Sequence, residues 1–166
     1  MYSIRYVESC LHSSAIRHPA LVSYIQGGNG FAVHRIYIKS IGTGTAEEQP
    51  NKAMLGPAKG GAVRLSNGSG KLVIAEGIET ALSLMSGIVE GEISVWAALS
   101  AGGMKGLNLP EQAGRLLIAP DGDDVGFAAA NALAERADAL GWQVSLLTPP
   151  QGCDWNDVLL GKAVAA

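Results

Sequence analysis

No apolar run in this 166-residue chain approaches the roughly 18 residues needed to span a bilayer as a helix, so no membrane association is expected. The opening MYSIRYVESCLHSS lacks the basic start and apolar run of a secretory signal, which makes the cytoplasm the expected location. Cysteine is scarce: Cys10 and Cys153 stand far apart and form neither a disulfide framework nor a paired zinc knuckle. Cys10, His12 and His18 could ligate a metal, but their irregular spacing reads as coincidence, and no zinc is expected. Aromatics make up only 5% of the chain. Among them Trp96, Trp142 and Trp155 are candidates to stack on bases, although Trp96 falls inside a strand pattern and reads as core.

What remains is 48% apolar with 22 glycines, a composition suited to one compact α/β domain with at most a small appendage. The formal charge of −3 conceals an asymmetry. Residues 1–75 carry eight Lys/Arg against three Asp/Glu, a net +5; residues 76–166 carry four against twelve, a net −8. A basic front joined to an acidic back fits a nucleic-acid-facing surface beside a metal-binding pole, and equally fits an uneven spread of solvated charge.

Along the chain, HPALVSYIQGGNG reads as a short strand ending in a glycine turn, and FAVHRIYI as a strand with Phe31, Val33, Ile36 and Ile38 as its apolar members. IGTGTAEEQPNK is a polar loop and GGAVRL a second short strand. SNGSGKL imitates a phosphate-binding loop, but Leu65 stands in place of the first glycine, Leu72 replaces the Ser/Thr, and a strand follows the lysine. It is expected to be a hairpin turn. From Lys71 the texture changes to KLVIA, ISVWAAL, RLLIAP and WQVSLLTPP as strands, the first a continuous apolar run of the kind buried on both faces of a parallel sheet. Between them lie GIETALSLMSGI, with Ile78, Leu82 and Met85 along one expected buried face, the glycine-rich turn SAGGMKG, and the long helix DVGFAAANALAERADALG. Strand and helix alternate, which predicts a parallel sheet with helices on both faces over 69–166, preceded by a small β-rich segment over 1–68.

Ligands of open parallel sheets bind beyond the C-terminal strand ends, and two of these strands finish on acid. KLVIA delivers Glu76, and RLLIAP delivers Asp121 and Asp123. If the two strands are neighbours, three carboxylates meet, with Gly122 free to bend between two of them. Hard oxygen ligands of this kind suit Mg²⁺. Asp-Gly-Asp-Asp could also be an ordinary turn, with Asp124 capping the long helix. Counted as a calcium loop from Asp121, it places Val125 and Ala132 at ligand positions and fails. An aspartyl-nucleophile phosphatase would use Asp-x-Asp but would leave Glu76 unexplained.

EGIETALSL followed by APDGDDVGFAAA resembles the Toprim family, the catalytic fold shared by bacterial primases, topoisomerases and some nucleases. The family pattern of glutamate-glycine after one strand and Asp-x-Asp after another is matched by Glu76-Gly77 and Asp121-Gly122-Asp123. GCDWNDVL is similar to the third acidic element of primase-type Toprim domains, with Asp154 and Asn156 at the matching positions. The upstream segment, including KAMLGPAKGGAVRL, looks like the region preceding Toprim in plasmid- and phage-type primase/helicase-like proteins. Two positions depart from the pattern. Thr80 stands where bacterial primases place an aspartate, with Glu79 before it, and Asn156 replaces a common aspartate.

The resemblance implies a Toprim-like (Rossmann-like) α/β fold and Mg²⁺-dependent phosphoryl or nucleotidyl transfer on nucleic acid, with Mn²⁺ able to substitute. The primase reading comes first, with nucleotides and a single-stranded DNA template as partners and a helicase or zinc-binding module as a further one. A Toprim nuclease and a catalytically silent module that binds nucleic acid or a helicase are the alternatives. Asp121 and Asp123 would hold the ion, and Glu76 would act as ligand or general base. Glu79, Asp154 and Asn156 would complete the site or a second metal site; for Asp154 and Asn156 a simple helix cap is the competing reading. Lys59, Arg64, Lys71 and Lys105 are the cations whose turns place them nearest the expected acidic edge, where they would meet phosphates.

Overall fold

The computed structural model describes residues 3–150 and 153–161. Two sheets make up the fold. The first is antiparallel, in the order β1 (Ile4–Leu11), β2 (Arg17–Ile25), β3 (Ala32–Tyr37) and β4 (Lys52–Leu55). The second contains β5 (Val63–Arg64), β6 (Lys71–Ala75), β7 (Ile93–Ala97), β8 (Arg115–Ala119) and β9 (Gln143–Leu146), in the spatial order β5-β7-β6-β8-β9. All its neighbours are parallel except β5, which runs antiparallel to β7 along one edge. Among the described residues, α1 (Ile78–Ser83), α2 (Ala101–Lys105), α3 (Asp124–Ala139) and α4 (Trp155–Leu159) make up the regular helices.

KLVIA becomes the central strand because both its faces are covered. Val73 and Ala75 look into one apolar cluster with Ile78, Ala81 and Leu84. Leu72 and Ile74 look into the other, with Ala129, Ala130, Leu133 and Ala137 of α3. The alanines of α3 let that helix lie close on the sheet, and it ends where Gly141 takes a positive φ of 84°, a conformation costly for residues with a side chain. The first cluster also takes in Ile25, Ala32 and Ile36 of the antiparallel sheet, so the two sheets share a core.

Several expectations are corrected. Phe31 and Val33 differ in parity from Ile36 and Ile38, and a strand cannot bury both sets on one face. The inward set is Ala32, His34 and Ile36, while Phe31 is 72% exposed. On GIETALSLMSGI, Leu82 and Met85 are exposed, and the buried stripe is Ile78, Ala81 and Leu84. The regular helix stops at Ser83 and a π-helical turn over 84–88 follows, with Gly87 at φ 118°. SNGSG is not a hairpin turn: β5 and β6 lie on opposite sides of β7 and do not pair. The short strand β5 instead pairs antiparallel with β7 along the edge of the second sheet. SAGGMKG contains the short helix α2, capped by Ser100, whose Oγ accepts from the Gly103 N–H at 2.9 Å. Trp96, Trp142 and Trp155 are all buried, which removes them as base-stacking surfaces. Among the described residues, no helix is long and apolar enough to cross a membrane.

Candidate functional site

β6 and β8 are parallel neighbours, with Ala75 level with Ala119. Glu76 and the Pro120-Asp121 turn therefore leave the same sheet edge one strand apart, about 4.8 Å in the hydrogen-bonding direction. The Gly126 backbone measures how closely the acids gather. A methyl group built there would lie 3.2 Å from Glu76 Oε2, 3.2 Å from Asp123 Oδ1 and 2.8 Å from the Asp121 carbonyl oxygen. Glu76 Oε2 is buried and has no hydrogen-bond partner among the described residues, an uncommon state for a buried carboxylate oxygen.

The electrostatics agree with this crowding. Burial first, then the charges of Asp121 and Asp123, push the Glu76 carboxyl above its ordinary range, against the opposing pull of the Ala101 backbone N–H. Asp121 is also pushed up, chiefly by burial, and by the charges of Asp154, Asp123 and Glu79. The Thr80 hydroxyl opposes this, donating to Asp121 Oδ1 at 2.9 Å. Thr80, the departure from the primase pattern, thus fixes a carboxylate rather than adding one.

Asp123, and not Asp124, caps α3: its Oδ1 accepts from the Gly126 N–H at 2.7 Å. Asp154 caps α4, its Oδ1 accepting from the Asp157 N–H at 2.8 Å. The cap reading for Asp154 therefore holds, and its charge still bears on Asp121. Asn156 is exposed. The segment leading to α4 is tied to the site at two points. Trp155 Nε1 donates to the Pro120 carbonyl at 3.1 Å, and the Gly122 N–H donates to the Cys153 carbonyl at 3.0 Å. A side chain at Gly122 would collide with that same carbonyl, so the close approach requires glycine.

The cations divide. Lys59 lines a cleft of about 270 Å³ with Gly60, Gly61, Ser100 and Gly103, beyond the C-terminal end of β7 and beside Ala101, whose N–H bears on Glu76. Lys105 is exposed at the far end of α2. Arg64 lies over the Trp96 ring at 4.0 Å, on the outer strand β5. Lys71 starts β6 at the end of the sheet opposite Glu76, so its turn does not bring it to the acidic edge. Lys52, not anticipated from the sequence, does reach the acidic side: its Nζ lies 2.7 Å from Glu79 Oε1, joining the basic front of the chain to its acidic back. Nothing local marks that pair, since its members are 27 residues apart.

Among the described residues, no group of three or more His, Cys, Asp or Glu side chains is already converged around a point that could hold a metal ion. Mg²⁺ does not require such a cage, because it is bound by one or two carboxylates with water and substrate phosphate completing the octahedron. The unpartnered Glu76 Oε2, the raised Glu76 and Asp121 carboxyls and the small Gly126 beneath them suit a divalent cation, which would relieve their mutual repulsion.

Comparison with known proteins bears on the family and the fold. A family model described as Toprim domain matches residues 71–164, and one described as a domain of unknown function, DUF7146, matches residues 2–65. No curated protein gives a significant match. Solved structures share the fold at low identity. A DNA primase domain from Pseudomonas aeruginosa superposes with a TM-score of 0.53 at 17% identity, covering 95% of this chain and 52% of that one. The primase fragment of the bacteriophage T7 primase-helicase protein gives 0.51 at 17% identity, covering 86% and 62%. The Aquifex aeolicus primase, zinc-binding and RNA polymerase domains, gives 0.53 at 14% identity, covering 93% and 41%. The chain thus spans roughly half the length of the primase structures it resembles. With glutamate and aspartate delivered side by side from parallel strands, and with the family model covering more than half its length, the chain belongs to the Toprim domain family.

Proposed function

We propose that the chain performs Mg²⁺-dependent nucleotidyl transfer of the DNA primase type, joining nucleotides on a single-stranded template at the edge where β6 and β8 end. The observation that carries this reading is the placement of Glu76 and Asp121 at adjoining strand ends, with Glu76 Oε2 buried and unpartnered. Primase-type structural neighbours support the same direction.

Glu76, Asp121 and Asp123 would hold Mg²⁺, which when bound neutralises charge developing on a transferring phosphoryl group. Thr80 keeps Asp121 in one orientation by its hydrogen bond. Asp123 must serve two ends, since Oδ1 is committed to capping α3. Glu76, whose Oε2 has no hydrogen-bond partner among the described residues, would serve as ligand or as the base that accepts a proton from an attacking hydroxyl. The glycine-lined cleft with Lys59 gives the backbone close access to a phosphate-bearing nucleotide. Lys52, already paired to Glu79, extends positive charge toward the same edge from β4. Template, nucleotides and a zinc-binding or helicase module are the partners this reading calls for.

The test is template-dependent incorporation of nucleotides in Mg²⁺, alongside Mn²⁺ titration of isotopically labelled protein. Line broadening centred on Glu76, Asp121 and Asp123 together with incorporation, both lost in Asp121→Ala, is the expected result. Cleavage of nucleic acid without incorporation would replace the primase assignment by a nuclease one. Absence of broadening at these residues would overturn the metal role.

A further inference from the structure

A second cavity, of about 630 Å³, lies away from the acidic edge and within the size range of small-ligand sites. It is bounded on one side by the outward face of the antiparallel sheet and on the other by β5 and the residues after it. Pairing places it in the fold. Arg64 is level with Trp96 on β7, and Trp96 is level with Ile74 on β6. The cavity therefore begins two strands away from Glu76 and two residues below it, and runs toward Asn67, farther from the acidic pole.

Its lining combines three chemistries. Tyr24 and Phe31 stack with ring centroids 5.7 Å apart and planes 27° from parallel. They stay 40% and 72% exposed, so the stack is open to a further planar ring. Arg5 and Arg64 supply positive charge, and Gln26 and Asn67 supply amides able to both donate and accept. Val22 and Val33, on the same sheet face, add apolar wall. Arg64 carries the most specific sign of a missing partner: its guanidinium rests on Trp96, and its Nε is buried with no acceptor among the described residues. A purely apolar ligand would leave that donor and both amides unmet, whereas a simple anion would make no use of the rings.

We infer that this cavity is a second binding site, separate from the acidic pole, for a nucleobase bearing a phosphate. The base continues the Tyr24–Phe31 stack, the amides meet its polar edge, and the arginines meet the phosphate. A free nucleotide and one unit of a single strand share this chemistry. The site goes beyond the transfer reaction proposed above and does not depend on it.

Binding of AMP, and separately of a fluorescent oligodeoxyadenylate of about ten residues, would be measured in EDTA at low salt, where no metal assists the acidic pole. Both exposed rings can be truncated with little effect on folding, which circular dichroism would check. The Tyr24→Ala/Phe31→Ala double variant should bind roughly 5- to 150-fold more weakly, the span expected for losing one base-aromatic stack. Arg5→Ala should weaken binding and flatten its salt dependence. Phe31→Trp should retain binding. AMP binding as tightly as the oligomer identifies a nucleotide site; a much tighter oligomer identifies a strand site. Failure of the unsubstituted chain to bind either probe saturably, or equal binding by the double variant, overturns the inference. Mn²⁺ broadening at Glu76, read on the double variant, reports on the acidic pole independently.

Discussion

Replacing Gly126 by alanine would insert a methyl group among the acids, and its consequences can be worked through. The added carbon meets the Asp121 carbonyl oxygen at 2.8 Å and the Asp123 and Glu76 carboxylate oxygens at 3.2 Å each. The carbonyl is backbone and cannot swing aside, so α3 or the Asp121 turn must shift; overpacking of this kind costs about 1–3 kcal/mol. If Asp123 Oδ1 is displaced from the Gly126 N–H it now accepts from, a cap worth about 1 kcal/mol goes with it. Against this stands the helix-propensity gain of Gly→Ala, at most about 1 kcal/mol. The clash and the cap outweigh it, and a net loss of about 1–3 kcal/mol is expected. Denaturant unfolding would read this loss, with Ala128→Gly at an exposed position of α3 to calibrate propensity in the same helix. Mn²⁺ affinity should fall as well, because the methyl occupies space between Glu76 and Asp123. A Gly126→Ala protein as stable as the parent, with Mn²⁺ binding unchanged, would refute the crowding of these groups.

Other outcomes follow from the same site. Thr80→Val removes the hydroxyl that donates to Asp121 Oδ1, so the Asp121 carboxyl should titrate at still higher pH, measurable by carbon NMR of labelled aspartate. Glu76 has its folded-state pKa raised, so its contribution to stability is full below the ordinary carboxylate range and is lost as pH rises through the raised value. In metal-free buffer, Glu76→Gln should therefore gain stability over the parent as pH rises from acid to neutral, and a difference flat across that window would contradict the burial described. Trp155→Phe leaves the buried Pro120 carbonyl without its 3.1 Å donor and should cost about 1–3 kcal/mol in denaturant unfolding. Lys52→Ala, breaking a pair whose side chains are 47% and 48% exposed, should cost no more than about 1 kcal/mol.

The parallel sheet was legible in the chain itself because KLVIA, ISVWA and RLLIA are short apolar runs separated by helix-length segments, and only a covered parallel sheet buries such runs on both faces. The acids at the ends of two of these runs were legible for the same reason, since a strand's last residue fixes which end of the sheet its successor occupies. Facing direction was less accessible. The inward stripe of the helix is Ile78, Ala81 and Leu84 rather than Leu82 and Met85, and in the strand a shift of one residue in phase puts Ala32, His34 and Ile36 inward in place of Phe31 and Val33. Tertiary structure alone decided the rest. It set β6 beside β8 so that Glu76 meets Asp121, brought Thr80 and Trp155 to hold the Asp121 turn, and carried Lys52 to Glu79. It also brought Tyr24 and Phe31 across from Arg64. Contacts of this sort join residues tens of positions apart, and no local propensity or periodicity encodes them; they exist only once burial of the shared core has set which elements lie side by side.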